Sequence, residues 1–148
     1  MNEKQIAEII IKAFKKGNKL LICGNGGSAA MSQHMACELV CEYRHRRKAL
    51  PAIALTTDTS ILTAIGNDYG FNEIFARQVE ALGKAGDVLL VLSTSGQSNN
   101  NLMAYRASWQ KGMDYIDLPR KGKDTPEIQE NQLKSIHKIC EIVEEAFI

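Results

Sequence analysis

The sequence has no apolar run near the roughly 20 residues that a membrane-spanning helix needs, and its N-terminus shows no signal-peptide pattern. It also has no excess of charge of either sign, because 18 Lys and Arg residues face 17 Asp and Glu residues. A chain so close to neutral has no electrostatic basis for binding nucleic acid or an anionic membrane surface. We therefore predict a cytoplasmic protein with neither kind of partner. The only basic cluster, residues 44–48, is predicted to be a solvated helix end, with a subunit contact or phosphate binding as the alternatives.

The sequence has no Cys-x-x-Cys spacing of the kind found in zinc and redox motifs, although it has four cysteines. Cys23 falls in an apolar run, and Cys37 and Cys41 are stacked on a predicted helix, so the simplest interpretation is reduced thiols in the core. The chain also lacks internal repeats, low-complexity segments and linkers. Its 148 residues therefore predict one domain, spanning residues 1–148.

The most informative stretch joins the apolar run 20–23 to a turn of small residues, 24–27, and then to a helical pattern reaching about Cys41. Ser28 is the predicted N-cap of that helix. Glycines let a ligand approach bare N–H groups, and a helix N-terminus binds anions, phosphate above all. The stretch therefore predicts a cradle for a phosphate or for sugar hydroxyls. It matches neither Gly-x-Gly-x-x-Gly nor a P-loop, and a tight turn without a ligand is the alternative.

The same helix carries His34 and Glu38, which are four positions apart and so share one face. An imidazole and a carboxylate at this spacing can chelate a metal or supply an acid/base couple. The alternative is an ordinary hydrogen bond within a solvated helix. Both interpretations stay open at this point.

Strands and helices alternate along the whole chain. The patterns predict strands over 20–23, 51–56, 87–92 and 115–118, and helices over 3–16, 28–41, 57–65, 73–82, 99–111 and 125–147. Residues 66–70 are predicted to form a polar loop, and Asn72 to cap the fourth helix. Alternation of this kind indicates a parallel α/β sheet, whose ligands sit at the carboxyl ends of the strands. The hydroxyl-rich turn 93–98 follows the third strand there, so we expect it to meet the glycine turn in one pocket.

An ordered set of motifs resembles the sugar isomerase (SIS) domain family, and within it the phosphoheptose isomerases. The resemblance covers nearly the whole chain and rests on Cys23-Gly-Asn-Gly-Gly-Ser28, Gln33-His34, Glu38-Leu39, Ala52-Ile-Ala-Leu-Thr56, Gly66-Asn-Asp68, Gly86-Asp-Val-Leu-Leu90, Ser93-Thr-Ser-Gly96 and Ile128-Gln-Glu130. It implies a flavodoxin-like, three-layer αβα sandwich with a parallel sheet. It also implies a homotetramer whose active sites lie at subunit interfaces.

The resemblance also implies roles for particular residues. Glu38 and His137 match the catalytic acid/base pair of the family. The implied zinc ligands are His34, Glu38, Gln129 and His137. The implied substrate-binding residues are Asn25, Gly26, Gly27, Ser28, Glu38, Asn67, Asp68, Ser93, Thr94, Ser95, Ser98 and Gln129, among which the four hydroxyls after the third strand hold the phosphate.

The implied reaction interconverts sedoheptulose 7-phosphate and D-glycero-D-manno-heptose 7-phosphate through a cis-enediol(ate), with zinc as Lewis acid, as the entry to surface-heptose synthesis. One alternative is a non-catalytic SIS protein, either a sugar-phosphate sensor or a scaffold for another protein. Another is an isomerase of a different ketose phosphate. The presence of both Glu38 and His137 favours the enzyme, whereas a helix-face histidine without a ligand is the alternative for His137.

The sequence departs from the family pattern in three places. Glu42 stands where the family usually has Arg, and Gln132 where it usually has His. The segment between Ser98 and Gln129 is short by what resembles one strand and its turn, so we expect one strand fewer. Gln129 and His137 are eight residues apart on one predicted helix, which is about 12 Å along its axis. We therefore expect either an irregular helix start at Gln129 or a site drawn from two subunits.

Overall fold

The structure, a computed structural model, describes all 148 residues. The elements in chain order are α1 (Glu3–Lys15), β1 (Leu20–Cys23), α2 (Gly27–Val40), β2 (Ala52–Ala54), α3 (Thr59–Asp68), a 3-10 turn (Phe71–Glu73), α4 (Ala76–Leu82), β3 (Val88–Val91), α5 (Asn99–Gln110), β4 (Asp114–Asp117) and α6 (Thr125–Glu145). The predicted alternation of strands and helices is confirmed. None of the helices is both long enough and apolar enough to cross a membrane.

The four strands form one parallel sheet in the order β2-β1-β3-β4. In the register, Leu20 lies opposite both Ala52 and Val88, and Val88 lies opposite Asp114. Every residue of β1 and β3 is buried, as expected of central parallel strands covered on both faces. The sheet has the small number of strands that the short chain predicts.

Alternate residues of the central strands supply two separate cores. Leu20 and Ile22 pack with α1, α2 and α6 on one face of the sheet. Leu21 and Cys23 pack with α4 and α5 on the other face. Because successive strand residues point to opposite faces, a continuous apolar strand needs helices on both sides. The predicted three-layer αβα sandwich is confirmed.

Two predictions about the middle of the chain are wrong. Residues 66–68 belong to α3 instead of a polar loop, since Asp58 caps the helix at Ile61 and the helical hydrogen bonds continue until Tyr69. The chain turns only at Gly70, whose φ of 103° ends the element. Asn72 lies within the 3-10 turn instead of capping α4, which begins at Ala76.

The cysteines are only partly the core residues that the sequence suggested. Cys23 and Cys140 are buried, and desolvation raises the pKa of the Cys140 thiol to about 12. Cys37 and Cys41 are exposed, so the prediction that they are core thiols is wrong. Their side chains lie on the outer side of α2 because its core face carries Met31, Met35 and Leu39.

The carboxylate of Asp87 ties together the two central strands at their amino ends. It is buried, and it accepts hydrogen bonds from Lys19 Nζ at 2.6 Å, from the Lys84 N–H at 2.8 Å and from Asn18 Nδ2 at 3.0 Å. Burial raises its pKa, but the hydrogen bonds from Lys19, Asn18 and Lys84 outweigh that effect and hold the pKa below its ordinary value. The folded protein therefore depends on the ionised form.

We predict that Asp87→Asn lowers the free energy of unfolding at pH 7 by about 2–3 kcal/mol, because it leaves charged and polar donors without an anionic acceptor. The pKa of Asp87 in the folded protein lies below its unfolded value of about 4. The stabilisation by the Asp87 carboxylate is therefore complete above about pH 4 and is lost as pH falls through the folded-state pKa. Urea unfolding of both proteins at pH 7 and pH 3 measures the difference. Asp114→Asn, at an exposed carboxylate on the same sheet edge, is the control. A difference independent of pH would contradict the assignment.

Candidate active site

Helices α2 and α6 lie side by side and run in the same direction. Gln129 reaches Gly27 at the start of α2, His137 faces His34 about two turns further on, and Glu144 lies beside the chain just after α2. Matched positions are therefore about 102 residues apart all along the contact. This pairing determines which side chains of the two helices can meet.

His34, Glu38 and His137 converge at the middle of this contact. Their ligand atoms all lie within 4.8 Å of one another. His34 Nε2 lies 3.0 Å from His137 Nε2 and 2.9 Å from Glu38 Oε1, and His137 Nε2 lies 4.0 Å from the same carboxylate oxygen. The two residues that the helical period places on one face thus meet a third from a distant part of the chain.

This cluster fits a metal ion. Two imidazole nitrogens on a tetrahedral ion with bonds of about 2.0–2.1 Å lie about 3.3 Å apart, close to the observed separation of His34 and His137. A His₂Glu donor set is typical of catalytic zinc, which keeps a further position open for water or substrate. His34 is exposed and the other two are half-buried, so the cluster is open to a ligand. The Tyr43 ring stacks on that of His137 at 5.6 Å and limits its rotation.

The fourth predicted metal ligand, Gln129, lies beside the start of α2. Gln129 lies against Gly27, where an added Cβ would collide with its Nε2. α6 is a continuous α-helix over Thr125–Glu145, so the expectation of an irregular start at Gln129 is wrong. The rise along the helix separates Gln129 from His137 by about 12 Å along its axis, and the metal-ligand role of Gln129 stays a prediction. Gln129 lies at the glycine turn.

The glycine turn connects β1 to α2 as predicted, but with a different cap. Gly26, with φ of 58°, occupies the N-cap position, and no side chain caps the helix. Ser28 lies in the first turn and is buried, so the prediction that it is the N-cap is wrong, and little of it is left for a ligand to contact. The N–H groups of Gly26 and Gly27 precede the helical hydrogen bonds and are the natural anion donors here.

The turns after β1 and β3 meet, as their positions in the sheet predict. Asn25 and Asn100 exchange two side-chain hydrogen bonds of 2.9 and 2.8 Å across the sheet edge. A cleft of about 340 Å³ lies between the turns, lined by Asn25, Gly26, Phe71, Asn72, Ser98, Asn99 and Asn100. Ser98 makes no capping bond, so its hydroxyl is free for a ligand.

The loop 93–98 is partly shaped by its own hydroxyls. The Gly96 N–H donates to Ser93 Oγ at 2.9 Å, and the Gln97 N–H to Ser95 Oγ at 3.1 Å. Gln132, which stands at the departure from the family pattern noted above, donates to the Ser93 carbonyl at 3.1 Å. Hydrogen bonds within the loop and the one from Gln132 of α6 therefore fix the conformation of this hydroxyl-rich loop.

Asn67 and Asp68 lie apart from both turns. They are exposed at the end of α3, and Asn67 Nδ2 donates to Asp68 Oδ1 at 3.0 Å. The cleft is lined instead by Phe71 and Asn72 of the following turn. Their predicted contact with a sugar phosphate stays a prediction.

A buried ion pair that the sequence analysis missed holds α2 against α6. The Glu144 carboxylate accepts the N–H groups of Tyr43, Arg44 and His45 at 2.8–3.1 Å and lies 3.3 Å from Arg47 Nε. Burial raises the pKa of Glu144, but these hydrogen bonds and Arg47 outweigh that effect and lower it.

The Arg47 guanidinium also closes the C-terminus of α2. It donates to the carbonyls of Glu38 at 2.7 Å and of Leu39 and Cys41 at 3.0 Å. The basic cluster is therefore not wholly solvated, because the Arg47 side chain is only 1% exposed. The burial of Glu144 could have been predicted from the sequence, because the helical period places Glu144 on the same apolar face as Cys140 and Phe147.

Comparison with known proteins places this geometry in a family. The SIS domain model matches residues 2–118. The phosphoheptose isomerase of Clostridium acetobutylicum is 49% identical over 157 aligned residues, which cover 95% of this chain and 80% of the relative. That of Roseiflexus sp. strain RS-1 is 50% identical, covering 94% and 79%. The alignment with the Clostridium protein has 157 positions, more than the 148 residues of this chain. It therefore contains gaps, where the relative has residues that this chain lacks.

Solved structures agree with the sequence comparison. Phosphoheptose isomerase GmhA from Neisseria gonorrhoeae superposes with a TM-score of 0.89 at 41% identity, and the phosphoheptose isomerase from Francisella tularensis with 0.93 at 36%. Each comparison covers 97% of this chain and 85% of the other. The fold of this chain therefore corresponds to that of the two solved phosphoheptose isomerases.

We predict that Glu144→Gln lowers the free energy of unfolding by about 2–4 kcal/mol, because it leaves Arg47 buried without its counter-charge. Urea unfolding at pH 7 measures the loss. Glu141→Gln is the matched control, since Glu141 lies one turn earlier on α6 and pairs with the exposed Lys138. Equal losses in the two variants would contradict a special role for the buried pair.

Proposed function

Since the chain belongs to the SIS domain family and, within it, to the phosphoheptose isomerases, we propose that it converts sedoheptulose 7-phosphate to D-glycero-D-manno-heptose 7-phosphate. The chain is an aldose–ketose isomerase by this kinship. The observation that supports the particular reaction is the convergence of His34, Glu38 and His137 on the helix that begins at the glycine turn. One end of the site thus carries proton-transfer groups, and the other carries anion donors.

The reaction moves a proton between C1 and C2 through a cis-enediol(ate), so one group must act at carbon and another at the sugar oxygens. We propose Glu38 and His137 as this acid/base pair. Their 4.0 Å separation suits two groups acting on adjacent positions of one substrate. Tyr43, stacked on the imidazole, and Arg47, bound to the Glu38 carbonyl, orient the pair.

We propose that His34, Glu38 and His137 also hold a zinc ion. Bound there, zinc would act as a Lewis acid that polarises the sugar carbonyl and stabilises the enediolate oxygens. The donor set supports this choice, since two imidazoles and a carboxylate are the ligands that zinc prefers in catalytic sites. Gln129 remains a candidate substrate contact at the glycine turn, or a zinc ligand toward a neighbouring subunit.

The phosphate of the substrate is assigned to the two turns at the sheet edge. Asn25, Gly26 and Gly27 contribute N–H groups and an amide, and Ser93, Thr94, Ser95 and Ser98 contribute hydroxyls. The cleft between the turns supports this assignment, because residues from both line it. Asn67 and Asp68 are proposed to contact the sugar at the rim.

We further propose a cytoplasmic homotetramer with its active sites at subunit interfaces, whose product feeds surface-heptose synthesis for lipopolysaccharide or capsule. Support for association comes from exposed apolar side chains near α3. Ile61 is exposed on this helix, whereas Leu62 and Ile65 on its other side pack against the core. Tyr69 and Phe71 continue this apolar surface, each at least 60% exposed. An apolar surface of this kind on one chain marks an interaction site.

A sugar-phosphate sensor or a protein-binding scaffold would need the two turns but not the acid/base pair. The cluster of His34, Glu38 and His137 therefore favours the enzyme over these two alternatives. An isomerase of another ketose phosphate would use the same groups, and substrate comparison separates it.

We predict that the protein forms aldoheptose 7-phosphate from sedoheptulose 7-phosphate in D₂O, followed by NMR, and that Glu38→Gln reduces the rate by about 100-fold or more. Glu42→Gln, at an exposed carboxylate just beyond α2, should turn over normally. If neither the unmodified protein nor a variant forms product while sedoheptulose 7-phosphate still binds, the sugar-phosphate sensor is supported instead. Reaction only with a different ketose phosphate supports the third candidate.

Metal removal gives a second test. We predict one zinc ion per chain, lost in His34→Ala and in His137→Ala but retained in His45→Ala. Chelation should abolish turnover while the far-UV circular dichroism spectrum stays unchanged, because the core forms without the cluster. Loss of secondary structure on chelation would instead indicate a structural metal.

A further inference from the structure

The phosphate-binding role proposed above leaves a charge to be balanced. The loop 93–98 reads Ser-Thr-Ser-Gly-Gln-Ser and has no charged side chain. A sugar phosphate brings about two negative charges to it at neutral pH. Ser93, Gly96 and Ser98 also share a cavity of about 100 Å³ with the Asp117 carboxylate, which would repel a phosphate. The loop itself has no cation to offset the Asp117 carboxylate or the charge of a phosphate.

Arg120 supplies a cation at this position. Its guanidinium lies flat against Gly96, so a Cβ at Gly96 would be 2.9 Å from Arg120 Cζ and 3.0 Å from Nη2. The close approach requires a residue without a side chain, and Gly96 also has a φ of 70° that favours glycine. Glycine at position 96 thus allows both the conformation of the turn and the close contact with the Arg120 guanidinium.

Asp117 orients this guanidinium and leaves part of it free. Arg120 Nη1 donates to Asp117 Oδ1 at 2.8 Å, which is its only hydrogen bond, so Nε and Nη2 on the loop side have no partner. The pair also cancels the Asp117 charge on the cavity wall. A guanidinium suits this double task, since its planar fork can bind a carboxylate through one nitrogen and a phosphate through the others.

We propose that Arg120 is a phosphate-binding residue of this chain, which contacts the phosphate held by the loop 93–98 and is positioned by Asp117. The inference rests on the proposed function for the identity of the ligand. It assigns the cation to the short connection between β4 and α6, where the chain passes directly from Asp117 to Arg120. The side chain is 32% exposed, so a ligand can reach it.

The experiment compares Arg120→Ala and Arg120→Lys with Lys123→Ala, which removes an exposed cation from the same segment. Isothermal titration with inorganic phosphate and steady-state kinetics with sedoheptulose 7-phosphate are measured on each full-length protein. We expect Arg120→Ala to raise the phosphate Kd and the KM about tenfold, with the loss mainly in KM. Lys at position 120 should recover part of the affinity, and Lys123→Ala should behave as the unmodified protein.

The two measurements separate this inference from the proposed function. Weaker phosphate binding in Arg120→Ala supports the inference even if no sugar turns over, in which case only the proposed reaction fails. Unchanged phosphate binding and KM in Arg120→Ala overturn the inference while the isomerase stands. A fall in kcat alone, or an equal loss in Lys123→Ala, would also overturn it, because neither reflects a specific contact with phosphate.

Discussion

The buried pair of Arg47 and Glu144 is the constraint on which the site depends. Glu144 collects three backbone N–H groups of the segment after α2, and Arg47 collects carbonyls from the last turn of α2. A buried charge without its partner is costly, so the two helices are held in one relative position. That position brings His137 to His34, two turns away along the same contact. The cluster of His34, Glu38 and His137 thus owes its geometry to a buried ion pair that lies outside it.

The sheet supplies the other half of the site. Parallel strands bring the turns after β1 and β3 to one edge, and the Asn25–Asn100 hydrogen bonds join them there. α2 starts at this edge and carries His34 and Glu38 away from it, so the proposed anion donors and the proposed proton-transfer groups lie at successive points along one helix. A sugar phosphate has the same polarity, with its charge at one end and its reacting carbons at the other.

The short connection after β4 places an ion pair at this edge of the sheet. Asp117 ends β4 and Arg120 follows almost at once, so an ion pair lies against the uncharged loop 93–98. Relatives contain residues that this chain lacks within the alignment. In this chain the fold brings the Arg120 guanidinium against the loop.

Local pattern alone determined much of this protein. Continuous apolar runs predicted the buried strands β1 and β3, the glycine turn predicted a helix start, and the four-residue spacing predicted that His34 and Glu38 share a face, since each depends on neighbours in the chain. Helix ends were less predictable: Gly66 continues α3 because the cap at Asp58 and the turn at Gly70 decide its length. Only the tertiary structure decided that Gln129 meets Gly27 while His137 meets His34, that Arg47 meets Glu144, and that Arg120 lies against Gly96. Those contacts depend on how α2, α6 and the sheet edge pack, and spacing along one element carries no information about packing between elements.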